Sequence, residues 1–221
     1  MERSKTVKVS PSILAADFGY LADEIKKIEK EVNFLHIDVM DGHYVPNISF
    51  GIPIIHSIRP LTDLLFDVHL MITNPQDLIE PFAKAGADII TFHIETTNEP
   101  AKLIHKIHSL GKKAGISVHP DTDIQSIFPY LPEVDIVLIM SVYPGFGGQK
   151  FLSTAPDRIR AVRKELGNIG SSALLSVDGG ISDITASIAV EAGATLLVTG
   201  NTVFADPDPA EAIRRLKRCA G

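Results

Sequence analysis

Eight short runs of apolar and β-branched residues recur along this chain, at residues 7–14, 34–39, 65–71, 89–93, 115–119, 134–140, 173–177 and 195–199. Between them lie longer stretches with apolar residues at helical spacing, such as Leu21, Ile25 and Ile28, then Leu103, Ile104 and Ile107, then Ile159, Val162 and Leu166. Strands that alternate with helices imply βαβ units and a parallel sheet. Glycine-containing turns such as Ala85-Gly86-Ala87-Asp88 and Ala192-Gly193-Ala194-Thr195 supply the left-handed cap that ends a helix before the next strand. Spread over 221 residues, eight units are about 28 residues each, which suits an α/β fold of the closed (β/α)8 TIM-barrel type. The competing architecture, a doubly wound open sheet, lacks an early Gly-x-Gly-x-x-Gly after its first strand. No Pro/Ser-rich linker divides the chain, so residues 1–221 read as one barrel domain, with residues 1–8 as a short extension.

Lys plus Arg number 21 against 27 Asp plus Glu, a net charge of −6, which leaves no basic footprint for nucleic acid. Cys219 is the single cysteine, so neither an intrachain disulfide nor a thiolate-rich metal site is available. The first eight residues lack the apolar stretch of a signal peptide, and no run of about 18 apolar residues suggests a membrane span. The expectation is a cytoplasmic protein with neither nucleic-acid nor membrane partners.

In a barrel, the C-terminal ends of the strands face the active site. His36, Asp38 and Met40 are two apart and share one strand face, as do Asp67, His69 and Met71, while Asp178 closes the seventh run. Each alone reads as a strand-end polar residue satisfied by its surroundings. Two histidines and two aspartates converging from three strands point instead to a divalent-metal site, for Zn2+, Fe2+, Mn2+ or Co2+. Glycine clusters follow the last three strands: Gly145, Gly147 and Gly148, then Gly179 and Gly180, then Gly200 beside Asn201. Glycines let backbone N–H groups approach an anion, and barrels often bind phosphate after strands seven and eight, so the clusters suggest a phosphorylated ligand.

Several motifs resemble one family in order and spacing. They are Ser10-Pro11-Ser12-Ile13-Leu14-Ala15-Ala16-Asp17, His36-Ile37-Asp38-Val39-Met40-Asp41-Gly42, Asp67-Val68-His69-Leu70-Met71, the stretch from Met140-Ser141-Val142-Tyr143-Pro144 through Gly145-Phe146-Gly147-Gly148-Gln149, and Val177-Asp178-Gly179-Gly180-Ile181. From about Val9 to Ile213 the chain resembles ribulose-phosphate 3-epimerases. The resemblance implies a metal-dependent (β/α)8 barrel that interconverts D-ribulose 5-phosphate and D-xylulose 5-phosphate through an enediolate. It assigns His36, Asp38, His69 and Asp178 as ligands of one divalent ion per subunit, zinc first, and Asp38 and Asp178 as the acid/base pair on opposite faces of C3. The ion would act as a Lewis acid on the substrate oxygens. No organic cofactor is implied.

By the same resemblance Ser12 and His69 contact substrate, Gly145, Phe146, Gly147 and Gly148 belong to a closing loop, and Gly179, Gly180, Gly200 and Asn201 cradle phosphate. Met40, Met71 and Met140 would form a polarizable wall beside the reacting carbon, although gap-filling packing explains them equally well. Family members are homo-oligomers, dimers or hexamers. His43, His56, His105 and His108 are expected at the surface, and His93 near the mouth without an assigned role. His119, Tyr143 and Asn201 depart from the usual residues of the family and bear on sugar preference and on the detail of the phosphate loops, not on the proton-transfer residues. The alternatives are a D-allulose-6-phosphate 3-epimerase using the same residues, a non-catalytic phosphosugar-binding barrel, and a barrel decarboxylase or aldolase. Such an aldolase would want a strand-end Schiff-base lysine, which none of the strand-like runs offers.

Overall fold

The computed structural model describes residues 7–220. Eight strands form one sheet: β1 (Lys8–Pro11), β2 (Phe34–Met40), β3 (Leu65–Met71), β4 (Ile89–His93), β5 (Lys113–Val118), β6 (Ile136–Met140), β7 (Leu174–Asp178) and β8 (Leu196–Thr199). Every pairing is parallel, in the order β1-β8-β7-β6-β5-β4-β3-β2. A parallel bridge between Ser12 and His36 joins the two ends of that order, so the sheet closes into the expected (β/α)8 barrel. The eight apolar runs all become strands, two of them with the same bounds and six shifted by one to three residues at one or both ends. Of the proposed extension, residues 1–6 lie outside the described residues, while Val7 is buried and Lys8 opens β1.

Outside the barrel run α1 (Leu21–Ile28), α2 (Ile52–Ile58), α3 (Pro75–Ala85), α4 (Pro100–Ser109), α5 (Ala155–Asn168), α6 (Asp183–Glu191), the one-turn α7 (Asn201–Phe204) and α8 (Pro209–Cys219). Prolines open α3, α4 and α8, where a missing N–H costs nothing and the fixed φ suits a helix. The apolar triplets at helical spacing lie on the buried faces of α1, α4 and α5. α3 ends at Gly86, whose φ of +119° is a left-handed cap. One connection differs from the expected rhythm. Between β5 and β6 the chain makes a 3-10 helix, Ile124–Tyr130, whose start is capped by the Asp123 side chain accepting the Gln125 N–H.

Inside, Phe34, Ile89, Ile136 and Leu196 form an apolar layer at the N-terminal end. They come from β2, β4, β6 and β8, the alternate strands that build one layer of such a barrel. A repeated contact fixes strand pairs at this end. Asp88, Asp135 and Thr195, each just ahead of an even-numbered strand, accept the backbone N–H of Phe66, Ala114 and Leu175 on the preceding strand at 2.9 Å. The backbone N–H of each donates back to the carbonyl of the same residue. Asp88 also accepts from Arg59 at 2.9 Å. Replacing Asp88 with alanine leaves the Phe66 N–H without its acceptor and takes the carboxylate from the Arg59 guanidinium, which keeps its bonds to the Thr62 and Leu64 carbonyls. The expected loss is on the order of 2 kcal/mol in chemical denaturation, with turnover unchanged because the site lies at the opposite end of the barrel.

Candidate active site

Because all eight strands run the same way and side chains alternate, the inward positions near their C-terminal ends share one mouth. The paired register sets Asp38 of β2 against His69 of β3, and Met40 against Met71. β7 delivers Asp178 opposite Met140 of β6. His36, Asp38, His69 and Asp178 each offer one ligand-type atom, and these four atoms lie within 4.8 Å of one another. The four residues that the motifs single out as a metal set are therefore brought together.

Each side chain is held from behind. His36 is fully buried and pairs through Nδ1 with Asp67 Oδ2 at 2.8 Å. Its Nε2 points into the cage, 3.3 Å from Asp38 Oδ1 and 3.9 Å from Asp178 Oδ2, yet makes no hydrogen bond. His69 turns Nδ1 inward, 3.1 Å from Asp38 Oδ1 and 3.7 Å from Asp178 Oδ2, and bonds through Nε2 to His93 at 2.8 Å. Asp38 accepts the Ser12 hydroxyl on Oδ2 at 2.5 Å. An inward-facing buried imidazole nitrogen without a hydrogen-bond partner, among carboxylates and a second imidazole, fits a divalent cation. The Asp67–His36 pair is the support a ligating histidine usually has. The donor set can hold a divalent ion without selecting which one.

The same crowding separates the two carboxyl groups. For Asp38 burial acts to raise the pKa, but His36 and His69 outweigh it and hold the group well below the usual carboxylate range. For Asp178 burial and the charge on Asp38 dominate, and its carboxyl is pushed up to about 6. Burial alone would lower His36, but Asp38 and Asp67 keep its imidazole well above its usual range. Burial brings His93 down to about 4, so it is neutral at pH 7. Burial and the Glu95 carboxylate raise the Tyr44 phenol, which stays protonated.

A cavity of about 330 Å3 opens above the cage. Ser12, Asp38 and Asp178 line it, with Met40, Met71 and Met140 along its wall. Gly145, Phe146, Gly147, Gly148, Gly179, Gly180, Gly200 and Asn201 complete the lining. His36 and His69 do not reach it; they support the cage beneath. Gly180 has φ +64°, and a Cβ there would lie 2.5 Å from the backbone nitrogen of Phe151, so a larger residue cannot take this turn without moving the chain. Phe146, half-exposed, stands at the rim, and Asn47 Nδ2 donates to the Gly145 carbonyl at 2.9 Å.

The four histidines expected outside, His43, His56, His105 and His108, are exposed. His93 is buried against His69, and Asp67 against His36. The sequence reading gives these two no role. Asp67 shares strand parity with His69, and His93 ends its strand on the inward face, but their partners lie 31 and 24 residues away. Two of the departures meet at the rim: the His119 ring approaches that of Tyr143 edge-on at 5.5 Å, and the Tyr143 hydroxyl donates to Asp121 at 2.9 Å.

Fold and site together define a (β/α)8-barrel enzyme with a His2Asp2 cage beneath a glycine-rimmed cavity. The sequence profile described as the Ribulose-phosphate 3 epimerase family matches residues 8–204. The chain is 46% identical to ribulose-phosphate 3-epimerase of Mycobacterium tuberculosis (strain ATCC 25618 / H37Rv) over 96% of its own length and 93% of the relative. It is also 46% identical to that of Bacillus subtilis (strain 168), over 96% and 98%. Among solved structures, a 3-hexulose-6-phosphate synthase superposes with TM-score 0.69 at 17% identity, covering 98% of this chain and 100% of that one, a likeness of fold. The chain belongs to the ribulose-phosphate 3-epimerase family. No helix among the described residues is long and apolar enough to cross a membrane.

A proton on His36 competes with any cation for the cage. Uptake of Zn2+ is therefore expected to strengthen as pH rises from 6 to 8, by up to about tenfold per pH unit for one displaced proton. Chelator competition at several pH values measures this, and an affinity flat with pH would contradict it.

Proposed function

We propose that this chain inverts C3 of D-ribulose 5-phosphate to give D-xylulose 5-phosphate, reversibly, with Asp38 and Asp178 as the acid/base pair. The observation that carries the reading is the split between these two carboxyl groups. Asp38 is held ionised by the imidazoles and the Ser12 hydroxyl, Asp178 is pushed towards its protonated form by burial and by Asp38, and both face the same cavity. Two nearby carboxyl groups whose environments push their pKa values apart make a ready base and acid.

The C3 hydrogen of the ketose is acidic because the adjacent C2 carbonyl takes up the electron pair. The ionised carboxylate removes that proton from one face and leaves an enediolate. The opposite carboxylic acid gives its proton to the other face of C3, and the configuration is inverted. One aspartate ends protonated and the other ionised, which is the starting state for the reverse reaction. His36, Asp38, His69 and Asp178 would hold a divalent cation, which supplies Lewis-acid stabilisation of negative charge on the substrate oxygens, worth several kcal/mol. The buried pairs from Asp67 to His36 and from His93 to His69 keep both imidazoles aimed at it.

In the same proposal Gly179, Gly180, Gly200 and Asn201 take the phosphate, supported by their place in the cavity lining and by the left-handed turn at Gly180. The loop from Gly145 to Gly148 closes over the substrate and excludes water, supported by its place in the cavity lining and by the half-exposed Phe146 within it. Met40, Met71 and Met140 give the reacting carbon a dry, polarizable wall. A single barrel domain, a cytoplasmic location and a homo-oligomer, dimer or hexamer, belong to this reading. Phe18, Tyr20 and Ile48 are large apolar side chains left exposed, in keeping with an assembly.

Turnover of D-ribulose 5-phosphate is expected to exceed that of D-allulose 6-phosphate, measured side by side with metal-loaded protein. Asp38→Asn and Asp178→Asn are each expected to lower kcat by roughly 10^2 to 10^4-fold while the fold persists. Faster turnover of the hexulose phosphate would move the reading to the six-carbon epimerase, and metal uptake with no turnover of either sugar would leave a binding protein.

A further inference from the structure

Behind the cage, four side chains stand in line. His69 Nε2 is 2.8 Å from His93 Nε2, His93 Nδ1 is 2.8 Å from the Tyr44 hydroxyl, and that hydroxyl is 3.3 Å from Glu95 Oε2. They come from β3, the end of β4, the loop after β2 and the turn after β4. Tyr44 is fixed at both ends. Asp41 Oδ1 accepts its backbone N–H at 2.9 Å, while Asp41 Oδ2 accepts the backbone N–H and hydroxyl of Thr73 at 2.8 and 2.6 Å. Its ring packs against the cluster of Met40, Val45 and Met71 at the cavity wall.

We propose that Tyr44 and Glu95 are positioning residues for the cage, acting through His93 to orient His69. The inference rests on the reading that the cage holds a divalent cation. A neutral imidazole carries one proton. Once Nδ1 of His69 is a ligand, that proton is on Nε2 and donates to His93 Nε2. His93 then carries its own proton on Nδ1 and donates to the Tyr44 oxygen, and the Tyr44 hydroxyl donates to Glu95 Oε2. Each bond in the row has one donor and one acceptor, and the row ends on a carboxylate. The other Glu95 oxygen is taken by the backbone N–H of His119 at 2.7 Å, so the carboxylate is itself oriented. Run this way, the row leaves Nδ1 of His69 free for the ion and pins the ring plane. Groups that back a metal-ligating histidine in this manner typically carry 10- to 100-fold in metal affinity.

Two near-isosteric substitutions cut the row at different bonds. Tyr44→Phe keeps the ring and its packing but removes the hydroxyl. Glu95→Gln keeps an oxygen for the His119 N–H and thereby turns an NH2 group, a donor, towards Tyr44. The dissociation constant for Zn2+, measured by chelator competition, is expected to rise on the order of tenfold in either variant. The double variant is expected to be no worse than the worse single one, because both break the same chain. In Zn2+-loaded wild type, long-range 15N–1H correlation spectra of labelled histidine are expected to show His93 protonated on Nδ1. Zinc affinity unchanged in both variants, losses that multiply in the double variant, or a His93 protonated on Nε2 would each overturn the proposal. Wild type that takes up no Zn2+ would instead overturn the cation reading on which it rests.

Discussion

Two carboxyl groups and two imidazoles, with ligand-type atoms within 4.8 Å of one another at the mouth of the barrel, are the constraint on which the rest of the site depends. Buried charges are tolerated only where they are paired and hydrogen-bonded. Here the pairing is uneven. Asp38 has Ser12 and both imidazoles, whereas Asp178 has the repulsion of Asp38 as well as the attraction of His36 and His69. That inequality drives one carboxyl group down and the other up, and it leaves Nε2 of His36 buried with no hydrogen bond. A cation would balance the cluster, and a proton held between two unequal carboxylates is what inversion at a single carbon calls for. Electrostatic cost and chemical use have the same origin.

The barrel places this cluster by geometry alone. Parallel strands bring all C-terminal ends to one side, and the two-residue period sends His36, Asp38 and Met40 inward from one strand and Asp67, His69 and Met71 from the next. The other end is built differently. There an apolar layer from alternate strands and the contacts of Asp88, Asp135 and Thr195 lock the strands in register. Strand register is therefore fixed by contacts that lie apart from the cage.

Much of this was legible in the amino-acid order, because it rests on local periodicities. Strands buried on both faces read as unbroken apolar runs, and the outer helices show the triplets that pack on them. Strand ends drifted by one to three residues, since hydrophobicity does not mark where pairing stops. The segment between β5 and β6 is a 3-10 helix, Ile124–Tyr130, a distinction from an α-helix that apolar spacing does not report. Within the site, motif residues that share a strand face could be grouped by parity. Asp67 and His93 could be placed on inward faces but not matched to His36 and His69, because that match depends on register between distant segments. Tyr44 gave no signal at all. It lies in a loop, and its importance rests on a partner 49 residues away.

The central claim is that one aspartate removes the proton from a single carbon and the other returns a different one to its opposite face, and isotope labelling at early time tests it directly. D-Ribulose 5-phosphate carrying ordinary hydrogen at C3 is converted in D2O by metal-loaded protein, and both sugars are followed by proton NMR over the first few per cent of reaction. With separate acid and base groups, the proton leaving one face is not the one arriving at the other. The account predicts D-xylulose 5-phosphate deuterated at C3 while the remaining substrate keeps its protium. Product that retains protium at C3, or substrate that gains deuterium as fast as product forms, would mean one group serves both faces and would contradict the account.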